Sequence, residues 1–256
     1  MNLPAVCLWD LDRRWCTAVW CVFVACLSRG TARGQEPAAF IKQAERAVII
    51  GNQFLELHFD TSSGRPLATS LLNRLSGETL KFRADDFSVG LEGRPPLRGA
   101  DCALQQVRAE ELPRGGKRLS FQLSASQPRR LTLDVNYELG ARDFFLRRQL
   151  VLQTPEPLPL RRVDVWCAGV DGQAEHQGFG QPVLLESTFW GLEYPGGHDQ
   201  FANGTLTLTH HPGRTVGEQF VSKTAVVGVA RPGDTARQFE RYLRTVQATQ
   251  IGRAHV

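Results

Sequence analysis

The densest grouping of chemically useful side chains is the stretch ESTFWGLEYPGGHDQFANG, residues 186–204. Within it Trp190, Tyr194 and Phe201 are interleaved with Glu193, His198, Asp199 and Asn203, and Gly196–Gly197 allow a tight turn. Rings beside carboxylates and amides are what a protein uses to hold a sugar: the ring covers the C–H face and the polar groups take the hydroxyls. Trp190, Glu193, Tyr194, His198 and Asp199 are therefore the candidate carbohydrate contacts, and carbohydrate is the expected partner. The same letters fit a plainer description. TFWGLEY would be a strand whose aromatics alternate into a core, followed by a glycine-rich loop, and core aromatics are the commoner outcome.

Little else in the chain is arranged for chemistry. It has no G-x-S-x-G, no phosphate-binding glycine loop, no H-E-x-x-H and no dinucleotide fingerprint. The histidines are scattered. His58 falls on the polar side of an alternating run, and His210 and His211, adjacent before Pro212, face opposite ways if extended. Asp85–Asp86 and Glu110–Glu111 are neighbouring acids of the kind that solvate loops. No Cys/His spacing suits a metal, so neither metal nor cofactor is expected. Glycoside hydrolysis needs two carboxyl groups at a defined separation, and no pair here declares one. A sugar epimerase would need a histidine and a carboxylate facing one pocket; His176 or His198 with Glu193 is conceivable, but no spacing supports it. The net charge of +4 is small for 256 residues. No basic patch is interleaved with aromatics, which argues against nucleic acid as a partner.

The elements that must position these residues are strands. Leu55, Leu57 and Phe59 alternate with Glu56 and His58; Leu119, Phe121 and Leu123 with serines and Gln122; and Leu131 to Leu139 alternates throughout. One wet face and one core face is the mark of antiparallel pairing. Turn signals (TSSG, PRGGK, LGARD) join the runs, and no long helical period appears between Val48 and Gly233. The expected fold is all-β, two antiparallel layers packed face to face. One helix closes it over PGDTARQFERYLRTVQ. Asp234 is its expected N-cap, and Ala236, Phe239, Leu243 and Val246 its apolar face.

The N-terminus has the form of an export signal. Arg13 and Arg14 precede an apolar run from Trp15 to Leu27, and Ala32 and Gly34 are spaced for cleavage before Gln35. The run is shorter than the ~20 residues of a membrane span. The mature chain is therefore expected to be secreted or periplasmic, with no stable membrane span. A lipoprotein signal through FVAC, acylated on Cys26, fits less well because Phe23 is an atypical start. Four of the six cysteines lie in this segment. The remaining two, Cys102 and Cys167, could form a disulfide in an oxidising compartment or rest as buried thiols. At the other end, IGRAHV matches one reading frame of a common short-read sequencing adapter, so the natural chain is expected to continue past Gln250. The expected organisation is a signal over 1–34, a linker over 35–46, the sandwich over 47–232, a helix over 233–250 and a foreign tail over 251–256.

Four stretches, taken in order, resemble the N-terminal β-sandwich of large bacterial glycoside hydrolases related to α-galactosidases. They are FLELHFDTSSGRPLATSLLNRLSGETL; RDFFLRRQLVLQ; STFWGLEYPGG, similar to that family's F-x-G-x-E-x-P segment; and FVSKTAVVGVARPGDTARQFERYLRTV. The resemblance implies a galactose-mutarotase-like supersandwich. It also implies activity of the whole protein on α-galactosides or related glycans, and a catalytic TIM barrel, in cis, beyond the final helix. No catalytic position carries over, because no barrel strand is present; Trp190, Glu193 and Tyr194 match the recurring motif, with a role that could be structural. The chain would then be a non-catalytic support. An autonomous carbohydrate-binding module with an open aromatic platform and a mutarotase-like epimerase are the alternatives.

Overall fold

Alternation gives an extended chain one face to bury, and the backbone follows it: Leu131–Leu139 reads buried and half-buried in turn along its whole length. The computed structural model describes residues 38–126 and 130–254, with side chains as far as 247. The expected export signal over 1–34 lies outside the described residues.

The strands in chain order begin with β1 (Phe40–Gln43), β2 (Ala47–Gly51), β3 (Leu55–Asp60), β4 (Leu67–Asn73) and β5 (Thr79–Lys81). Next come β6 (Ala84–Leu91), β7 (Leu97–Arg98), β8 (Ala103–Leu112), β9 (Gly116–Ala125), β10 (Leu131–Leu139), β11 (Phe145–Gln153) and β12 (Leu158–Gly169). Shorter strands follow: β13 (Ala174–Glu175), β14 (Gly178–Phe179), β15 (Val183–Leu185), β16 (Thr188–Leu192), β17 (His198–Ala202) and β18 (Thr205–His210). The last are β19 (Arg214–Val216), β20 (Gln219–Val221) and β21 (Ala225–Val229), before the helix α1 (Thr235–Ala254).

Among the described residues these strands make three antiparallel sheets. The first is the meander β1 to β5. The second runs β13-β15-β16-β21-β11-β10-β9-β8, with β20 also on β11; the third runs β14-β17-β18-β12-β6-β7, with β19 on β12. Side chains from all three share one core. Tyr137 of β10 meets Phe59 of β3 at 4.9 Å and Trp166 of β12 at 6.1 Å, and Trp166 meets Trp190 of β16 at 4.9 Å. Edge-on packing of this kind suits the ring quadrupoles.

Three expectations change here. Part of the linker read over 35–46 is strand. β1 pairs with β2, and Ile41 packs against the core, since a polar segment needs only free backbone groups to join a sheet edge. The helix face also differs. Tyr242 is buried while Leu243 is 41% exposed, so Phe239, Tyr242 and Val246 face the sheet. A 3.6-residue period alone admits either neighbour. The choice is made by Phe189, which meets Phe239 at 5.4 Å and Tyr242 at 5.5 Å. Phe189 is seated by Gly228 on the paired strand, where a Cβ would lie 1.9 Å from its ring. Asp234 stands just before α1; its carbonyl accepts from the Gln238 N–H and its carboxylate takes Arg237. The backbone stays helical to Ala254, past the boundary expected at 250.

Candidate functional site

The motif residues Phe189 to Pro195 point three ways. Trp190 is wholly buried, its Nε1 donating to Thr188 Oγ1 at 2.9 Å, with Phe82 edge-on at 6.1 Å. A ring expected to touch sugar is thus a core residue. β16 is buried along nearly its whole length, and a strand covered on both faces carries no alternation to mark a surface.

Glu193 follows β16 and ties the helix down. Its Oε1 accepts from Arg147 Nε of β11 and from the Tyr242 hydroxyl of α1, both at 2.6 Å. Burial pulls the Arg147 guanidinium down, but the Glu193 carboxylate outweighs it and the pKa is raised. Burial, and then the same carboxylate, push the Tyr242 hydroxyl well above the ordinary phenol range. Both donors therefore keep their protons.

Tyr194 opens a tight turn closed by the Gly197 N–H, which donates to Tyr194 O at 2.9 Å. Its ring, 38% exposed, closes over Gly196 and carries Lys223 Nζ 4.6 Å from the centroid. Lys223 is placed in turn by its backbone N–H, which donates to His210 Nε2 at 3.2 Å. Burial, then the charges of Lys223 and His211, pull the His210 pKa to about 4, so the ring stays a neutral acceptor. The turn is bonded to a second one, through the Gly180 N–H on Gly197 O at 2.9 Å. There Phe179 of β14 sits opposite His198 of β17 and stacks flat on it, 4.5 Å between centroids and 15° between planes. Phe179 is 73% exposed. His176 and Gly180 both have left-handed backbones, and a Cβ at Gly180 would also lie 2.9 Å from Pro195 O. The sequence reading missed Phe179. Its one signal is the pair of flanking glycines in GFG, which supply no side chains to cover the ring.

Asp199 turns the opposite way from His198, as successive strand residues must. It is 3% exposed; Oδ2 accepts the Leu192 N–H at 3.0 Å, and Oδ1 has no hydrogen-bond partner among the described residues. Burial raises its pKa to about 7, against a smaller opposing pull from the Leu192 N–H. Of the five expected contacts, the structure brings Tyr194 and His198 to one exposed surface. It places Trp190 and Asp199 in the interior, and it binds Glu193 to the helix rather than to His176, which is exposed.

One charged cluster escaped the sequence reading altogether. Asp85, expected in a loop, is in β6 and buried. Its Oδ1 accepts from Arg148 Nη1 at 3.0 Å and Trp166 Nε1 at 2.9 Å, and its Oδ2 accepts from the Ala68 N–H at 2.9 Å. The Arg148 guanidinium lies 4.9 Å from the Trp166 ring and 5.4 Å from Tyr137. This node joins all three sheets and is almost wholly buried.

The disulfide considered for Cys102 and Cys167 is not formed: both are free thiols. Cys102 follows the turn after β7, its Sγ 3.5 Å from Arg98 O, whereas Cys167 is held in mid-β12, in register with Asp86 on one side and Thr207 on the other. Burial, with nearby carboxylates, pushes each thiol up to about 12, so both stay protonated. Among the described residues no three of His, Cys, Asp or Glu are grouped to hold a metal ion, and no helix is long and apolar enough to cross a membrane.

No protein-family model matches the chain, and no curated protein matches it in sequence. Among solved structures it is similar to a variant of a glycoside hydrolase family 97 enzyme from Pseudoalteromonas sp. strain K8. The TM-score is 0.51 and the identity 8%, over 70% of this chain and 34% of that one. The chain thus spans about a third of that enzyme's length, and the likeness is one of fold. An active YidC insertase, with its first transmembrane domain resolved, gives a TM-score of 0.44 at 13% identity, over 76% of this chain and 41% of that one. That likeness is too slight to carry an argument.

Proposed function

We propose that this chain is the non-catalytic β-sandwich of a secreted or periplasmic glycoside hydrolase acting on α-galactosides or related glycans. In this reading its sheets form the two-layer, galactose-mutarotase-like supersandwich, and its task is to support a catalytic barrel reached through α1. The whole protein would continue past Gln250, with residues 251–256 foreign to it. Its hydrolysis would run through two carboxylates supplied by the barrel; separated by about 5 Å, they would retain the anomeric configuration.

The observation that carries this reading is the role of the motif glutamate. Glu193 grips Tyr242 on α1 and Arg147 on β11 with one oxygen. A helix fixed at that depth is a rigid strut for whatever follows it, and a fold shared with a third of a family 97 enzyme supports the same arrangement. The test is to recover the intact gene and assay its product, alongside the 256-residue chain, on nitrophenyl α-galactoside and other nitrophenyl glycosides. Hydrolysis by the longer product and none by the chain is expected. Turnover by the chain alone, or a gene that encodes no further domain, would overturn the proposal.

A further inference from the structure

We propose that Phe179, Tyr194, His198 and Lys223 form a saccharide-binding platform, with the open face of Phe179 as the ring on which a hexopyranose unit stacks. The inference rests on the carbohydrate-active reading above and adds a binding surface within the chain itself.

Phe179 and Tyr194 are two of the four large apolar side chains exposed among the described residues, and they stand on the same pair of bonded turns. Each ring is already fixed. Phe179 lies flat on His198, and Tyr194 is held between Gly196 and the Lys223 ammonium. A ring with one face covered and the other open loses little freedom when a ligand arrives. The turn beneath it holds His176 in a left-handed conformation, a strain that tends to gather where a surface has a task.

Polar groups surround the rings in the way hydroxyls require. Lys223 Nζ has no carboxylate partner among the described residues, and Gln200, exposed, lies on the same face of β17 as His198. The neighbours Gln177, Gly180, Gln181 and Pro195 are exposed and small or polar. A protein interface would need a continuous apolar centre that sheds its water. Two separate rings among amides and an ammonium match a sugar, whose C–H face is narrow and whose rim is all hydroxyl.

The test is native affinity electrophoresis of the whole chain in gels containing galactomannan or soluble starch, against gels without polysaccharide. Retardation by at least one of the two is expected. Phe179→Ala should weaken it roughly five- to tenfold, the scale of one lost ring contact. Phe179→Trp should retain it, and Leu243→Ala, which trims an exposed side chain on α1, should leave it unchanged. Thermal unfolding of each variant shows whether the fold is intact. Equal mobility in all gels overturns the platform, as does retardation that Phe179→Ala leaves untouched. A sugar-free dimer that Phe179→Ala dissolves in the ultracentrifuge would make the ring a protein contact, and also overturns it. Hydrolysis by the longer gene product without retardation removes the platform and leaves the hydrolase reading standing; retardation with no further domain in the gene does the reverse.

Discussion

Arg147 and Arg148 are consecutive on β11, yet they serve opposite faces of the sheet. Arg148 enters the core between sheets and pairs with Asp85, both side chains almost wholly buried; Arg147 turns toward α1 and pairs with Glu193 at a half-covered rim. In the first pair both Asp85 oxygens are taken within the chain, while Arg148 Nε is buried with no hydrogen-bond partner among the described residues. The second acts with the rings of Phe239 and Tyr242 to hold the helix against the sheet. Identical chemistry, one residue apart, fixes the core in one case and an appendage in the other.

The comparison can be broken most forcefully at Arg148. Arg148→Met leaves Asp85 buried without its countercharge and is expected to lower stability by about 3–5 kcal/mol. Adding Asp85→Asn should return part of that loss. Urea unfolding of the two variants measures it, and a single variant as stable as the native chain would show that the node is not an ion pair in solution. Glu193→Ala should have a smaller and local effect. The buried Tyr242 hydroxyl and the half-buried Arg147 lose their acceptor, at about 1–3 kcal/mol, and amide exchange should quicken along 235–247 while the β10 and β11 amides keep their protection. Uniform loosening of both regions would make the clamp part of the core.

The third test depends on pH and falls on Asp199, which sharpens the comparison because its buried carboxyl has no arginine partner among the described residues. Its folded pKa of about 7 exceeds the unfolded value of about 3.9, so the folded chain holds a proton that the unfolded chain has released. Its contribution is complete below about pH 4 and is lost as the pH climbs to about 7. His210 acts in the opposite sense. Its pKa is lowered to about 4, so its contribution falls away as the pH drops below the unfolded value of about 6.5. The quantity to measure is therefore the stability of Asp199→Asn minus that of the native chain, which should grow across this window. A flat difference would mean that Asp199 is solvated.

Much of the scaffold was legible. Strict alternation in β9 and β10 announces antiparallel pairing because each strand has one wet face. β16 gave no such warning, and so Trp190 passed for a sugar contact when its neighbours are Trp166 and Phe82. Asp85 passed for a loop acid for a related reason: its partner Arg148 is distant in sequence, and no local pattern links them. Of the candidate surface, Tyr194 and His198 were visible as types beside a glycine turn, whereas Phe179 was not, because only the pairing of β14 with β17 brings it to His198.

The residues by themselves marked the alternating strands such as β3, β9 and β10, the turns that join them and one amphipathic helix after the strands, since these follow from periods and turn chemistry acting over a few neighbours. The packing of sheets decided the rest: which of two adjacent arginines is buried, that Tyr242 and not Leu243 faces inward, that two thiols stay apart and that one phenylalanine is left in water. Each of these depends on contacts between residues far apart in sequence, whose distance and direction no local pattern encodes.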